Sequence, residues 1–168
     1  MKIFSYGSNM LSSRIKNRID SYKGVGIGYI ENYSLRFHKK SKDTSGKADA
    51  FLTGNTEDKI WGVIGEIDEE SKKTLDKIED LSKGYNLKNI TITTDKGIEN
   101  AIIYVADENY IDSKLIPFDW YKEFVLRGSI ENSLPGDYIN SIKEIPCKKD
   151  TDSKRREENY KIIEKAGT

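Results

Sequence analysis

Apolar and polar residues alternate from Lys2 to Tyr6, the period of a half-buried strand. A Gly7-Ser8-Asn9 turn follows. Leu11, Ile15 and Ile19 then recur at four-residue spacing, as on one face of a helix. This reads as strand, tight turn and helix start, with Ser8 or Asn9 as the natural N-cap. From Ser21 to Gly28, Val25 and Ile27 alternate with glycines, and Tyr29 continues the spacing of a strand. Tyr33, Leu35 and Phe37 keep the period of two in a second strand, with His38 at its end. Lys39 to Lys47 is polar and predicts a surface loop. Ala48, Ala50 and Leu52 alternate again, and Gly54-Asn55 turns the chain. Ile60 to Ile67 carries apolar groups on both faces, which predicts a central, doubly covered strand.

Asp68 or Ser71 can cap a helix over roughly Glu69 to Leu81, with Leu75, Ile78 and Leu81 on its apolar arc. Glu79 lies beside Leu75 on that wheel and borders the buried stripe, whereas Asp76 and Asp80 turn towards solvent. Gly84-Tyr85 breaks the helix. Leu87 to Thr94 and Ala101 to Ala106 are alternating segments joined through Asp95-Lys96-Gly97, a hairpin signal. Pro117 opens a helix with Trp120, Tyr121, Phe124 and Val125 on one side, and Gly128 ends it. Pro135 opens a shorter helix with Tyr138, Ile139 and Ile142 inward. About six short strands followed by helices describe an α+β fold, a small mixed barrel or strongly curled sheet with flanking helices. The pattern predicts one domain over 1–145. A charged extension over 146–168 is expected to be helical and to dock on that domain through Tyr160, Ile162 and Ile163.

Composition narrows the function. Lys+Arg and Asp+Glu both number 28, so the net charge is zero. The mean hydropathy of −0.69 is that of a chain with a heavily charged surface. No overall field favours nucleic acid or an anionic membrane. No leader and no run long enough to span a bilayer are read, so a cytoplasmic location is expected. The single cysteine, Cys147, excludes an internal disulfide. With one His and one Cys, the chain alone cannot build a zinc site of the usual kind, and no calcium-loop spacing occurs. No metal or cofactor is expected.

The chemistry-bearing candidates are few. The turn after Tyr6 points backbone N–H groups outward, which suits a carboxylate or other anion, and Gly7 allows close approach. Glu79, on an apolar rim, is partly desolvated and so better suited to accept a proton. The glycines of 21–28 lack the strand–turn–helix order of a dinucleotide loop. A serine hydrolase reading would need Ser8, His38 and an acid, without the usual elbow around the serine. Cys147 has no second His to support it as a nucleophile.

Taken together, these residues resemble the γ-glutamylcyclotransferase family. Phe4-Ser5-Tyr6-Gly7-Ser8-Asn9 is similar to its N-terminal loop. Gly46 to Ala50 and Trp61-Gly62-Val63-Ile64 resemble its central strands. Leu75-Asp76-Lys77-Ile78-Glu79, then Gly84-Tyr85, resembles its acidic motif, and Trp120-Tyr121, Gly128 and Leu134-Pro135 complete the set. The resemblance covers residues 2 to 140. It implies a cofactor-independent enzyme in which the α-amine of a γ-glutamyl compound attacks its own γ-carbonyl, giving 5-oxoproline and a free amine. It implies Glu79 as general acid/base, Tyr6, Gly7, Ser8 and Asn9 as the γ-glutamyl-binding loop, and Tyr121 as a further substrate contact. The sequence departs from the pattern at Asp80, where the family usually has glycine. The leaving group, an amino acid or an amine, stays open, as does a non-catalytic domain binding a γ-glutamyl-like ligand on the same fold.

Overall fold

The computed structural model describes residues 1–165. Its strands are β1 (Lys2–Ser5), β2 (Lys23–Glu31), β3 (Tyr33–Lys40), β4 (Gly46–Leu52), β5 (Lys59–Glu66), β6 (Tyr85–Thr94) and β7 (Gly97–Ala106). The helices are α1 (Ser12–Lys16), α2 (Glu69–Ile78), α3 (Asp119–Glu131), α4 (Gly136–Glu144) and α5 (Ser153–Glu164). A closed barrel forms in the order β1-β5-β2-β6-β7, while β3 and β4 pair separately. The expected α+β barrel is therefore present. β5 pairs antiparallel with both β1 and β2, and its Ile60, Val63 and Ile64 are buried. This is the covered strand that its two apolar faces require. The seam closes where β1 runs parallel to β7, through Ile3 and Ile102.

The first helical segment differs from its prediction. A single 3₁₀ turn, Ser8–Met10, precedes the short α1, and neither has a side-chain N-cap bond. Ser8 and Asn9 do not cap because they lie inside that 3₁₀ turn. The apolar face is nevertheless as read: Leu11, Ile15 and Ile19 are buried. Gly128 does not end its helix; α3 continues to Glu131. A Cβ at Gly128 would lie 2.7 Å from the Leu11 nitrogen and from Met10 Cβ. The glycine is there to let α3 press against the 3₁₀ turn, and Asn132 Nδ2 fastens the contact by donating to the Met10 carbonyl at 3.0 Å.

β3 departs most from the sequence reading. Its register with β4 shifts between Arg36 and Lys39. That irregularity breaks the alternation, so Phe37, His38 and Lys39 are all buried. His38 is thus not a surface residue; its Nε2 lies 2.8 Å from Asp49 Oδ2. The segment read as a surface loop is partly strand, and Ser45 within it is fully buried.

At the other end of the chain, Asp152 caps α5 by accepting from the Arg155 N–H at 2.9 Å. Ile163 is buried in the main core. Asp150 is buried, and accepts from Trp120 Nε1 at 2.8 Å and from Arg155 through two nitrogens at 2.6 Å. Arg156 bonds Asp119 at 2.7 Å. These contacts tie α5 to the start of α3. The last three positions of the expected extension, 166–168, lie outside the described residues.

Candidate active site

One cavity of about 820 Å³ opens beside the 3₁₀ turn. Tyr6, Gly7, Ser8, Asn9, Glu79 and Tyr121 all line it. Residues more than a hundred positions apart meet there because β1 ends at Ser5 next to the end of α2 and the first turns of α3.

Glu79 reaches the cavity by a mechanism that a helical wheel does not capture. α2 stops at Ile78, and Glu79 is its C-cap. The Asp80 N–H bonds the Lys77 carbonyl at 3.3 Å and the Leu81 N–H bonds the Asp76 carbonyl at 2.9 Å. This pair of bonds is a Schellman closure, which needs a left-handed residue at its C′ position. Asp80 supplies it with φ 49°. Glycine is the least strained residue there, and Asp is among the side chains that tolerate it. The helix ending two to three residues early also corrects two positions. Ile78 is exposed, at the cavity wall, rather than in the core. Asp76 is turned inward rather than to solvent: it accepts from the Tyr104 hydroxyl at 2.7 Å and from Lys72 at 2.6 Å.

The Glu79 carboxylate is held from two sides. Asn9 Nδ2 donates to Oε1 at 3.2 Å and Arg18 Nη1 donates to the same oxygen at 2.9 Å. Arg18 also donates to Asn9 Oδ1 at 2.9 Å, closing a triangle. Both contacts fall on Oε1, so Oε2 is the oxygen available to a ligand. Arg18 was not singled out in the sequence. Its signal is its position nine residues after Asn9, just beyond the short helix that follows the loop.

Buried tyrosines form the floor. The Tyr6 hydroxyl donates to the Tyr104 carbonyl at 2.6 Å, and the Tyr85 hydroxyl to the Ala48 carbonyl at 2.7 Å. The Ala48 N–H donates to the Tyr121 hydroxyl at 3.2 Å, leaving the hydroxyl hydrogen of Tyr121 to donate in turn. Burial raises the pKa of all three phenols, so they serve as neutral hydrogen-bonding groups. A Cβ on Gly7 would come within 3.0 Å of Ala48 Cβ and 3.8 Å of the Tyr121 hydroxyl, so a side chain there would press on β4. In the 3₁₀ turn, Met10 N–H bonds Gly7 O and Leu11 N–H bonds Ser8 O. The N–H groups of Ser8 and Asn9 are left over, as at any helix start.

Along the wall, Lys and Arg outnumber Asp and Glu. Lys47 Nζ sits 4.6 Å from the Trp120 ring and 4.5 Å from the Tyr121 ring, and donates to Asp43 at 2.6 Å. Burial pulls its pKa down to about 8 against the opposing pull of Asp43. Among the described residues no group of His, Cys, Asp and Glu could hold a metal ion. No helix there is long and apolar enough to cross a membrane.

Residues 59–142, from β5 into α4, match the AIG2-like family. The chain belongs to that family. It is 29% identical over 171 residues to the human gamma-glutamylcyclotransferase, covering 98% of this chain and 88% of the relative. It is 29% identical over 147 residues to the protein of that name from Bos taurus, covering 83% of this chain and 77% of the relative. Its fold matches a solved gamma-glutamyl cyclotransferase with TM-score 0.82, at 24% identity and with 98% of each chain covered. An uncharacterized human protein matches with TM-score 0.77 and 25% identity, over 87% of this chain and 88% of that one.

Proposed function

We propose that this protein is a γ-glutamylcyclotransferase, releasing 5-oxoproline and a free amine from a γ-glutamyl amino acid or γ-glutamylamine. The reading rests above all on Glu79, which lines the same cavity as the Tyr6-Gly7-Ser8-Asn9 loop and is fixed to it through Asn9. The gamma-glutamylcyclotransferase relatives support it.

The substrate enters with its α-amine protonated. Glu79 takes that proton through Oε2, and the freed nitrogen attacks the γ-carbonyl carbon of the same molecule. The carbonyl electrons move onto oxygen, where the N–H groups of Ser8 and Asn9 receive the developing charge. The tetrahedral intermediate collapses, and the bond from carbon to the leaving nitrogen breaks. Glu79 returns a proton to that nitrogen. The ring nitrogen gives up a second proton, and the product amine takes up one from solution. No water is consumed and no electrons leave the system. Holding the glutamyl chain folded makes the attack intramolecular, which supplies much of the rate. Tyr121 contacts the bound glutamyl group from the floor of the cavity, beside Gly7.

The test is 5-oxoproline release from a panel of γ-glutamyl amino acids and γ-glutamylamines, by wild type and by Glu79→Gln. Wild-type release that falls by about 10²–10⁴-fold in the variant is expected for a lost general base. Release that survives in the variant removes Glu79 from proton transfer. Absence of release from every compound, with thermal stabilisation by one of them, identifies a binding domain instead.

A further inference from the structure

Most buried charges in this protein have a counter-charge. Glu79 has Arg18, Asp150 has Arg155 and Lys47 has Asp43, while Asp49 is hydrogen-bonded by the His38 ring and the Ala106 N–H. Lys39 at the cavity wall has no counter-charge within ion-pair distance, its ammonium lying over the Tyr85 ring, and neither has Arg14, which alone of the two also keeps a buried nitrogen without a hydrogen-bond partner. Arg14 projects from α1 into the cavity wall. Its guanidinium carbon lies 4.5 Å from the centre of the Phe124 ring. Its Nε is buried without a hydrogen-bond partner. No carboxylate among the described residues comes within ion-pair distance of it. Its charged neighbours are Arg18, which repels it, and Glu79, which attracts it from further off; Tyr121 also faces it. Lys47 adds a second cation close enough to feel Arg14. Desolvation, with Arg18 adding to it, lowers the Arg14 pKa to about 9, so it remains a cation at neutral pH.

An unpaired cation taken out of water is costly, and folds seldom keep one that nothing will neutralise. Packing alone does not require it, since a methionine of similar length would cover Phe124 without the charge. A guanidinium facing a cavity offers paired N–H groups in the plane that a carboxylate matches. Arg14 shares its end of the cavity with Tyr121 and lies five residues beyond Asn9. On the cyclotransferase reading, one carboxylate is common to every substrate whatever its leaving group. That is the α-carboxylate, attached to the same carbon as the attacking amine.

We propose that Arg14, assisted by Lys47, binds the α-carboxylate of the γ-glutamyl group. This inference rests on the cyclotransferase reading. Its chemical consequence is orientation. Anchoring the carboxylate beside Arg14 sets the neighbouring amine towards Glu79, and the ammonium is delivered to its base by a group that takes no part in the proton transfer. The carboxylate also supplies the counter-charge that Arg14 lacks, while Arg18 and Lys47 keep Glu79 and Asp43.

The test does not depend on turnover. Binding of L-5-oxoproline and of L-5-oxoprolinamide, which differ in carboxylate against carboxamide, is measured by calorimetry for wild type, Arg14→Met and Arg14→Lys. Wild type should favour the acid by about 10- to 100-fold, the range of a charge-assisted pair. Arg14→Met should bring that ratio close to one, and Arg14→Lys should restore part of it. Arg14→Met should also melt higher than wild type, by about 2–4 °C, because it removes an uncompensated charge. That rise shows that the loss of discrimination is not a loss of fold. A wild type without preference, or an Arg14→Met variant that keeps it, overturns the proposal. Failure of the function itself reads differently: no 5-oxoproline is released from any γ-glutamyl compound, whatever the binding ratio.

Discussion

Two clusters of buried charge flank the first turns of α3, and they are built on different principles. At its start, Asp150 is enclosed by Trp120 and by both prongs of Arg155, with Arg156 and Asp119 beside them. Every strong group there is answered within the chain. In the cavity, Glu79 is answered on one oxygen only, and Arg14 stacks on Phe124 with its Nε unanswered. A closed ion cluster fastens parts of a fold together. An open one is held at a cost in stability and has room for a charged guest. On the proposed function, the difference separates the charges that hold the fold from those that would meet substrate.

Breaking the closed cluster should have the largest effect on stability. Asp150→Ala leaves Trp120 Nε1 and Arg155 without their acceptor. We expect a loss of about 2–3 kcal/mol, reduced from the fully buried case because Arg155 is partly exposed, measured by denaturant unfolding. The same cluster should set the acid limit. Arg155 beside Asp150 holds that carboxyl well below the usual carboxylate range. The stabilisation is therefore complete above about pH 4 and is lost as pH falls through the folded-state value. Melting curves of wild type and Asp150→Asn should converge as pH is lowered below 4.

Breaking the triangle around Glu79 should act on rate instead. Arg18→Met removes one of the two donors that fix the carboxylate. A fall in kcat of about 10-fold, larger than any accompanying fall in the unfolding equilibrium constant, is expected from a positioning role. An equal loss in both readouts would place Arg18 with the structural cluster.

Lys47 gives a smaller, pH-dependent signature. Its folded-state pKa, about 8, lies below its ordinary value, so the unfolded chain holds the proton more tightly. Stability from this group is present above about pH 10.5 and is lost as pH falls through 8. Wild type should therefore gain stability relative to Lys47→Met between pH 8 and 10, as read by pH-dependent unfolding. The smallest effect belongs to Asp80→Gly. Relief of the left-handed strain at φ 49° offsets the added freedom of glycine in the unfolded chain. The change should stay within about 1 kcal/mol and leave 5-oxoproline release unaltered.

The barrel and the site were legible in the sequence to different depths. Strand period identified β5 as the covered strand, because Ile60, Val63 and Ile64 put apolar groups on both faces. The loop from Tyr6 to Asn9 was visible as a turn between two periodicities. Glu79 was singled out by a helical wheel, yet the helix does not contain it. Its position comes from a Schellman closure whose left-handed residue, Asp80, does not advertise that conformation as glycine would. His38 and Lys39 were hidden by the irregular register of β3, where three successive residues turn inward and the period of two fails. Arg14 and Arg18 escaped notice for a simpler reason. A basic residue on or just after a short amphipathic helix looks like a solvated one until the facing surface is known.

The barrel seam has a consequence for how the chain must be made. β1, which precedes the other described strands in chain order, has its partners in β5 and β7, which end at Glu66 and Ala106. Until those segments emerge, β1 has no edge to join, and the loop that follows it has no wall to form against. Domains with such distant pairings close late and slowly. The glycine loop, read first in the sequence, is therefore among the last parts of the molecule to take shape.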